Sequence, residues 1–263
     1  MNYLSPEEIK QSQLKVLDFF VKTCEDNNLR YYLCGGTLLG AIRHKGFIPW
    51  DDDIDVFMPR TDYNKLLTLD IEPPFELRYF AKGNSLQPFI KIVDNTTMAQ
   101  EKNSTFPSAI WIDVFAIDGL FSSNLLNKLH YKIVKFLRFR TYFGLRPEGL
   151  SFRAKVLMKF VKLLHINPER VNRFFCYWTE VFSQIKSYES SKFIGGINWG
   201  YGPHERMRKD DLEPITKVEY EGKLYNAPVG YHIYLSNLYG DYMQLPPEEK
   251  RKNHNLKAWK REP

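Results

Sequence analysis

Asp51-Asp52-Asp53-Ile54-Asp55 places four carboxylates within five residues. From Asp53 to Met58 the residues alternate, so Asp53, Asp55 and Phe57 share one face of an expected strand and Ile54, Val56 and Met58 the other. Two carboxylates on one face can share divalent cations, and their hard oxygens favour Mg²⁺ or Mn²⁺. Such ions neutralise phosphate charge and a leaving oxygen, which is the chemistry of phosphoryl-type transfer. A third carboxylate is expected from a neighbouring strand. Asp113 is the candidate: it interrupts the apolar run Ile110-Trp111-Ile112-Asp113-Val114-Phe115, where a lone carboxylate is costly unless a cation or an ion pair meets it. One of these three, or Asp51 or Asp52, would take the proton of an acceptor hydroxyl. Asp51, Asp53 and Asp55 also have the spacing of a calcium loop. Val56 at the sixth position and Asp62 at the twelfth, where an EF-hand carries Gly and Glu, exclude it.

Upstream, Tyr31–Cys34 reads as a short strand that meets Gly35-Gly36-Thr37 and a helix over Leu38–His44. Alone, a glycine pair is only a tight turn. Before a helix it lets backbone amides approach phosphate oxygens, with Arg43 and Lys45 placed to hold further anionic charge. Other elements must position these groups. Ser5, Pro6 and Glu8 make a helix start with a capping box, and Ile9, Val16, Leu17, Phe20 and Cys24 mark the buried face of a helix running to about Asp26. Pro59-Arg60-Thr61-Asp62 opens another helix. Strands are expected at Phe75–Ala81, Phe89–Val93 and Ile110–Ala116, and helices at Asn124–Tyr142, Phe152–Leu164 and Glu169–Ile185. After about Phe193 the pattern reads as irregular.

The 263 residues suit a mixed α/β (α+β) fold: a catalytic core over 1–121, a basic helical addition over 122–190 and an irregular part over 191–263 packed on the core. Three scattered cysteines exclude a disulfide framework. Met1 to Lys10 lacks a secretory h-region, and no apolar run approaches the ~18 residues of a spanning helix, so a cytoplasmic chain is expected. The net charge of +6 is uneven: Ser122 to His165 carries +9 and the remainder −3. Lys128, Lys132, Lys135 and Arg138 share a helix face opposite Leu126, Leu129, Ile133 and Leu137. Lys155, Lys159 and Lys162 likewise oppose Val156, Leu157, Phe160 and Leu164. The basic faces are either solvated surface on a packed subdomain or docking faces for an anionic membrane. No nucleic-acid motif accompanies them. Trp199 and Tyr201, flanked by Gly200 and Gly202, are the residue types of a quaternary-ammonium cage, although packing in a loop is the simpler account.

Strand, Gly-Gly-Thr, helix, Asp-Ile-Asp strand and a later strand with a third Asp together resemble the nucleotidyltransferase fold of the polymerase β superfamily. The wording from Cys34 to Val56, with Trp111-Ile112-Asp113-Val114-Phe115 and Asp118-Gly119, more narrowly resembles the LicD family, which contains bacterial phosphocholine transferases and has fukutin-related proteins as distant relatives. A weaker echo returns at Tyr239-Gly240-Asp241-Tyr242, Pro246-Pro247 and His254. The resemblance implies that Asp53, Asp55 and Asp113 are the metal carboxylates and that Gly35, Gly36 and Thr37 cradle donor phosphates. It implies a phosphocholine-type group moved from a CDP-alcohol, CDP-choline foremost, to a hydroxyl of a polyprenyl-linked or lipid-linked glycan with release of CMP. Teichoic acid, lipopolysaccharide and capsule precursors are such acceptors, and the inner membrane face is where they would be met. The superfamily also admits a nucleotidyltransferase that releases pyrophosphate, and the charge alone a non-catalytic membrane or glycan binder. The Arg43–Trp50 stretch lengthens the superfamily's spacing between Gly36 and Asp53, and leaves the tasks of Arg43 and Lys45 open.

Overall fold

The computed structural model describes residues 2–100, 108–141, 167–251 and 256–262. The capping box forms as the residue types require: Ser5 Oγ accepts from the Glu8 amide at 3.3 Å and Glu8 Oε2 accepts from the Ser5 amide at 2.7 Å. It starts α1 (Pro6–Asp26), which buries Ile9, Val16, Leu17, Phe20 and Cys24. Gln13 is buried on the same face, and its amide donates to the Asp52 carbonyl at 2.9 Å. After β1 (Tyr32–Leu33) the next helix, α2 (Gly35–His44), begins at the glycine pair itself, three residues before the expected Leu38. Gly35 adopts φ +52, a conformation costly for a residue with a Cβ, which lets the chain turn from strand into helix without a linker.

Next come β2 (Asp55–Pro59), α3 (Arg60–Leu66), β3 (Phe75–Arg78), β4 (Ile90–Gln100) and β5 (Ser108–Leu120). They build a mixed sheet with the strand path β1-β2-β5-β4. β2 and β5 are parallel, whereas β1 is antiparallel to β2 and β4 to β5. The central strands are almost wholly buried, as near-continuous Val, Ile and Phe runs demand. The mixed α/β class expected from the sequence is the one found.

Two expectations about the later part need correction. The first concerns the helical layer of α4 (Asn124–Thr141) and α5 (Pro168–Ser183). Helix α4 turns Asn127, His130, Tyr131, Val134 and Thr141 inward, so Leu126, Leu129 and Ile133 are exposed rather than facing the core. Two of the buried polar groups are met across the pair of helices. His130 Nε2 meets the Phe182 carbonyl at 2.6 Å, and Asn172 Nδ2 donates to the Thr141 carbonyl at 2.7 Å. The helix expected at Phe152–Leu164, with Lys155, Lys159 and Lys162, lies outside the described residues.

The second concerns the stretch read as irregular. It holds β6 (Phe193–Gly195), β7 (Met207–Arg208), α6 (Lys209–Leu212), the hairpin β8 (Ile215–Tyr220) and β9 (Lys223–Pro228), α7 (Tyr231–Tyr239) and β10 (Lys257–Lys260). The hairpin turns at Glu221 and Gly222, both with positive φ, as a two-residue turn between twisted strands requires. β6 adds to β5, and β10 pairs with β4. Frequent Gly and Pro concealed these elements, and β6 and β10 moreover pair with partners distant in the chain.

A buried ion network ties the helical layer to the sheet. Arg60, at the start of α3, meets Asp118 of β5 through two bonds of 2.7 Å and Glu180 of α5 at 2.8 Å. Asn198 Nδ2 donates to the other Glu180 oxygen at 2.6 Å.

Candidate active site

Register brings the acidic residues together. Asp55 and Asp113 are direct partners on the parallel strands β2 and β5, and Asp113 is the direct partner of Lys91 on β4. A row Asp55, Asp113, Lys91 therefore crosses three strands at one end of the sheet. It forms one wall of a cavity of about 460 Å³ that is also lined by Gly35, Gly36, Asp51, Asp52 and Asp53. Asp53 precedes β2 rather than belonging to it, but lines the same space.

Crowding sets the electrostatics. Burial, then Asp53, Asp113 and Asp51, push the Asp55 carboxyl well above the usual carboxylate range, and Lys91 opposes them. Lys91 Nζ lies 3.1 Å from Asp113 Oδ1 and 3.8 Å from the centroid of the Trp111 ring. The ion pair is the partner that a carboxylate in an apolar strand needs.

Each of the remaining sequence candidates has a defined place. Gly36 sits where a Cβ would stand 2.6 Å from Asp51 Oδ2, so its absence makes room for that carboxylate. The Gly35 amide donates to the Tyr234 hydroxyl at 3.1 Å. Thr37 is buried, and its hydroxyl accepts from the Asp55 amide at 2.8 Å: it holds the acidic strand against α2 and does not line the cavity. Asp52 Oδ2 accepts from the Leu256 amide at 3.1 Å and anchors the C-terminal chain. Arg43 donates to the carbonyls of Tyr242 at 2.9 Å and Gln244 at 3.3 Å, away from the carboxylates. Lys45 is an exposed, left-handed helix cap whose carbonyl accepts from Glu221. Neither basic residue reaches the acidic cavity. Arg43 instead lines an adjoining groove of about 930 Å³ with Trp50, Tyr239, Asp241 and Tyr242. The cavity and the groove share Gly36, Asp51 and Tyr201.

Two cavity residues escaped the sequence reading. Lys91 interrupts the apolar run Phe89-Ile90-Lys91-Ile92-Val93 as Asp113 interrupts its own, and the same cost argument would have found it. Glu205 had no such signal. It is buried, accepts from the Tyr201 amide at 2.9 Å and from the Tyr234 hydroxyl at 3.3 Å, and burial raises its carboxyl to about 8. Tyr234 thus links Glu205 to the Gly35 amide. A Cβ on Gly200 would stand 2.0 Å from Glu205 Oε2, which is why glycine follows Trp199. Trp199 and Tyr201 do line the cavity, and the Arg138 guanidinium lies 4.9 Å from the Trp199 ring centroid.

For a hard divalent cation the donors are of the right kind, carboxylate oxygens, and the crowding on Asp55 is the charge imbalance that such an ion relieves. Among the described residues, no three His, Cys, Asp or Glu side chains are gathered as a ready metal cage.

Comparison with known proteins shows the family. Over 97% of its length the chain is 32% identical to the lipopolysaccharide cholinephosphotransferase LicD of Haemophilus influenzae, covering 98% of that protein. The chain belongs to the LicD family. Residues 28–115 match the family model described as the LicD/FKTN/FKRP nucleotidyltransferase domain, a span that runs from before α2 through Asp113. The chain also shares shorter stretches with uncharacterized proteins of Rickettsia typhi, 43% identical over 23% of this chain and 19% of that protein, and of Rickettsia prowazekii, 46% identical over 19% and 18%. The LicD family model thus covers the glycine turn, the acidic cluster and Asp113, while the full-length relative extends the likeness through the helical layer and the C-terminal strands.

Proposed function

We propose that this protein transfers a choline phosphate group from CDP-choline to a hydroxyl of a lipid-linked cell-surface glycan, such as a lipopolysaccharide, teichoic acid or capsule precursor, and releases CMP. The observation that carries this reading is the Asp55–Asp113 register pair facing one cavity, in a chain similar along its whole length to a lipopolysaccharide cholinephosphotransferase. Asp53, Asp55 and Asp113 would hold Mg²⁺ or Mn²⁺, which supplies charge neutralisation for the donor phosphates.

The protein's own groups do the rest. The first turn of α2, at Gly36, would offer backbone close to the donor phosphates. Lys91 adds a fixed positive charge on the same wall. Asp51 lines both the acidic cavity and the adjoining groove, so it stands between donor and acceptor. In the transfer, the acceptor oxygen bonds to the phosphorus that bears choline, the bond from that phosphorus to the CMP oxygen breaks, and the hydroxyl proton passes to the Asp51 carboxylate.

The test is a panel of CDP-alcohols (choline, ethanolamine, glycerol, ribitol) with purified protein and Mg²⁺. CMP released from CDP-choline supports the reading. Pyrophosphate from a nucleoside triphosphate, with no CMP from any CDP-alcohol, would replace it by nucleotidyl transfer. No product from either would favour a binding protein.

A further inference from the structure

The helical layer is built inside out for a water-facing surface. On α4, Leu125, Leu129, Phe136 and Phe139 point outward, with Leu125 77% and Phe139 78% exposed. On α5, Phe174, Tyr177, Trp178 and Val181 do the same. At about 100° per residue each set occupies one face, and the buried Asn127, His130 and Thr141, or Asn172, Thr179 and Ser183, occupy the other. Most of the inward polar groups have partners: besides the bonds between the helices, Asn172 donates to the Leu86 carbonyl at 3.0 Å, Ser183 to the Thr179 carbonyl at 2.7 Å and Thr141 to the Arg138 carbonyl at 2.7 Å, whereas Asn127 Oδ1 and His130 Nδ1 are buried without one among the described residues. Exposed apolar side chains gathered on one face of each of two packed helices mark an interaction surface.

The charges beside them indicate which partner. Helix α4 contains Lys128, Lys132, Lys135, Arg138 and Arg140 and no Asp or Glu. Lys128, Lys132 and Lys135 flank the exposed apolar face, and the Arg140 guanidinium lies 4.8 Å from the Phe136 ring centroid. Aromatic and aliphatic side chains bordered by lysines on a helix suit the boundary between headgroups and acyl chains of an anionic bilayer. A protein partner would need both an apolar surface and a matching acidic rim. Among the described residues no helix is long and apolar enough to cross a membrane, so the contact is lateral.

We propose that the outer faces of α4 and α5 dock the protein on an anionic phospholipid surface, the apolar side chains entering the acyl boundary and the lysines engaging headgroups. This is independent of the transferase reading. The docking helix also touches the site: Arg138 of α4 packs on Trp199 of the cavity wall, so a docked molecule holds its cavity at a fixed height above the lipid.

The experiment is co-sedimentation of the full chain with vesicles of phosphatidylglycerol and phosphatidylcholine, or of phosphatidylcholine alone, at low salt and at 1 M salt. The wild type is expected to bind the anionic vesicles and to keep part of that binding at 1 M salt, where screening shortens to ~3 Å and only apolar contact survives. The double variant Phe139→Glu with Phe174→Glu is expected to lose at least about tenfold in partitioning, with unchanged melting temperature and monomeric mass. Wild type that stays in the supernatant, or a variant that binds equally, would overturn the proposal. So would a melting temperature lowered by the exchange, which would show the face covered from within the chain, or a wild-type dimer that the variant splits, which would place a second copy there.

Discussion

Lys91 and Asp113 are cross-strand partners whose charged groups lie 3.1 Å apart, nearly buried, on the wall of the acidic cavity. The pair explains how a carboxylate survives in the middle of an apolar strand. Removing the ammonium leaves that carboxylate without its counter-charge. Lys91→Met is therefore expected to lower unfolding free energy by about 3 kcal/mol, read by urea denaturation, and to reduce turnover at least tenfold. Wild-type stability would mean that the pair is a surface contact without weight.

Asp55 is crowded by Asp53, Asp113 and Asp51. Asp55→Asn keeps the shape and removes one of the repelling charges. The variant should melt no lower than the wild type at pH 7 and lose at least about 10²-fold in turnover, because the proposed ion would lose an anionic ligand. Full turnover in that variant, or full activity of the wild type in excess EDTA, would contradict the site.

The triad of Arg60, Asp118 and Glu180 is buried, with one bidentate contact, two bonds of 2.7 Å, on Asp118. Arg60→Met leaves two carboxylates uncompensated in the interior. A destabilisation of about 3–5 kcal/mol is expected in denaturant melts. Because the triad joins α3, β5 and α5, loss of protection in amide exchange should appear first in α5.

Glu205 gives a pH dependence with a definite sign. Its folded-state value of about 8 lies above the ordinary 4.5, because burial disfavours the anion. Stability from this group is complete below 4.5, where both states hold the proton. It is lost as pH rises through 8, since the unfolded chain ionises first. Melting temperature should decline between pH 5 and 8, and Glu205→Gln should flatten that decline. A variant with the same slope as the wild type would assign the decline to other groups.

How much of this was legible in the sequence varies with the range of the interaction. The capping box of α1 depends on residues three apart, and it formed as read. Asp113 was legible from the cost of a carboxylate in an apolar run, and Lys91 carries the same signal one strand away. The family resemblance implies a phosphate-cradling Thr37; what the structure adds is that its hydroxyl meets the Asp55 amide, eighteen residues away in a pairing no local pattern reveals. The face of α4 was misread for a related reason. Periodicity shows that a helix has an apolar side; it does not show that His130 will find a partner inside, on the Phe182 carbonyl of the next helix. β10 closes on β4 across more than 150 residues, and nothing in Lys257–Lys260 announces its partner.

The central claim is transfer of choline phosphate at the cavity that joins Asp55 to Asp113. The most direct measurement is mass spectrometry of a lipid-linked lipopolysaccharide precursor after incubation with purified protein, CDP-choline and Mg²⁺, beside the Asp113→Asn variant. The account predicts acceptor heavier by one choline phosphate with an equal amount of CMP, and neither product from the variant. Acceptor unchanged while CMP forms equally with wild type and variant, or acceptor carrying a nucleotide instead, would contradict it.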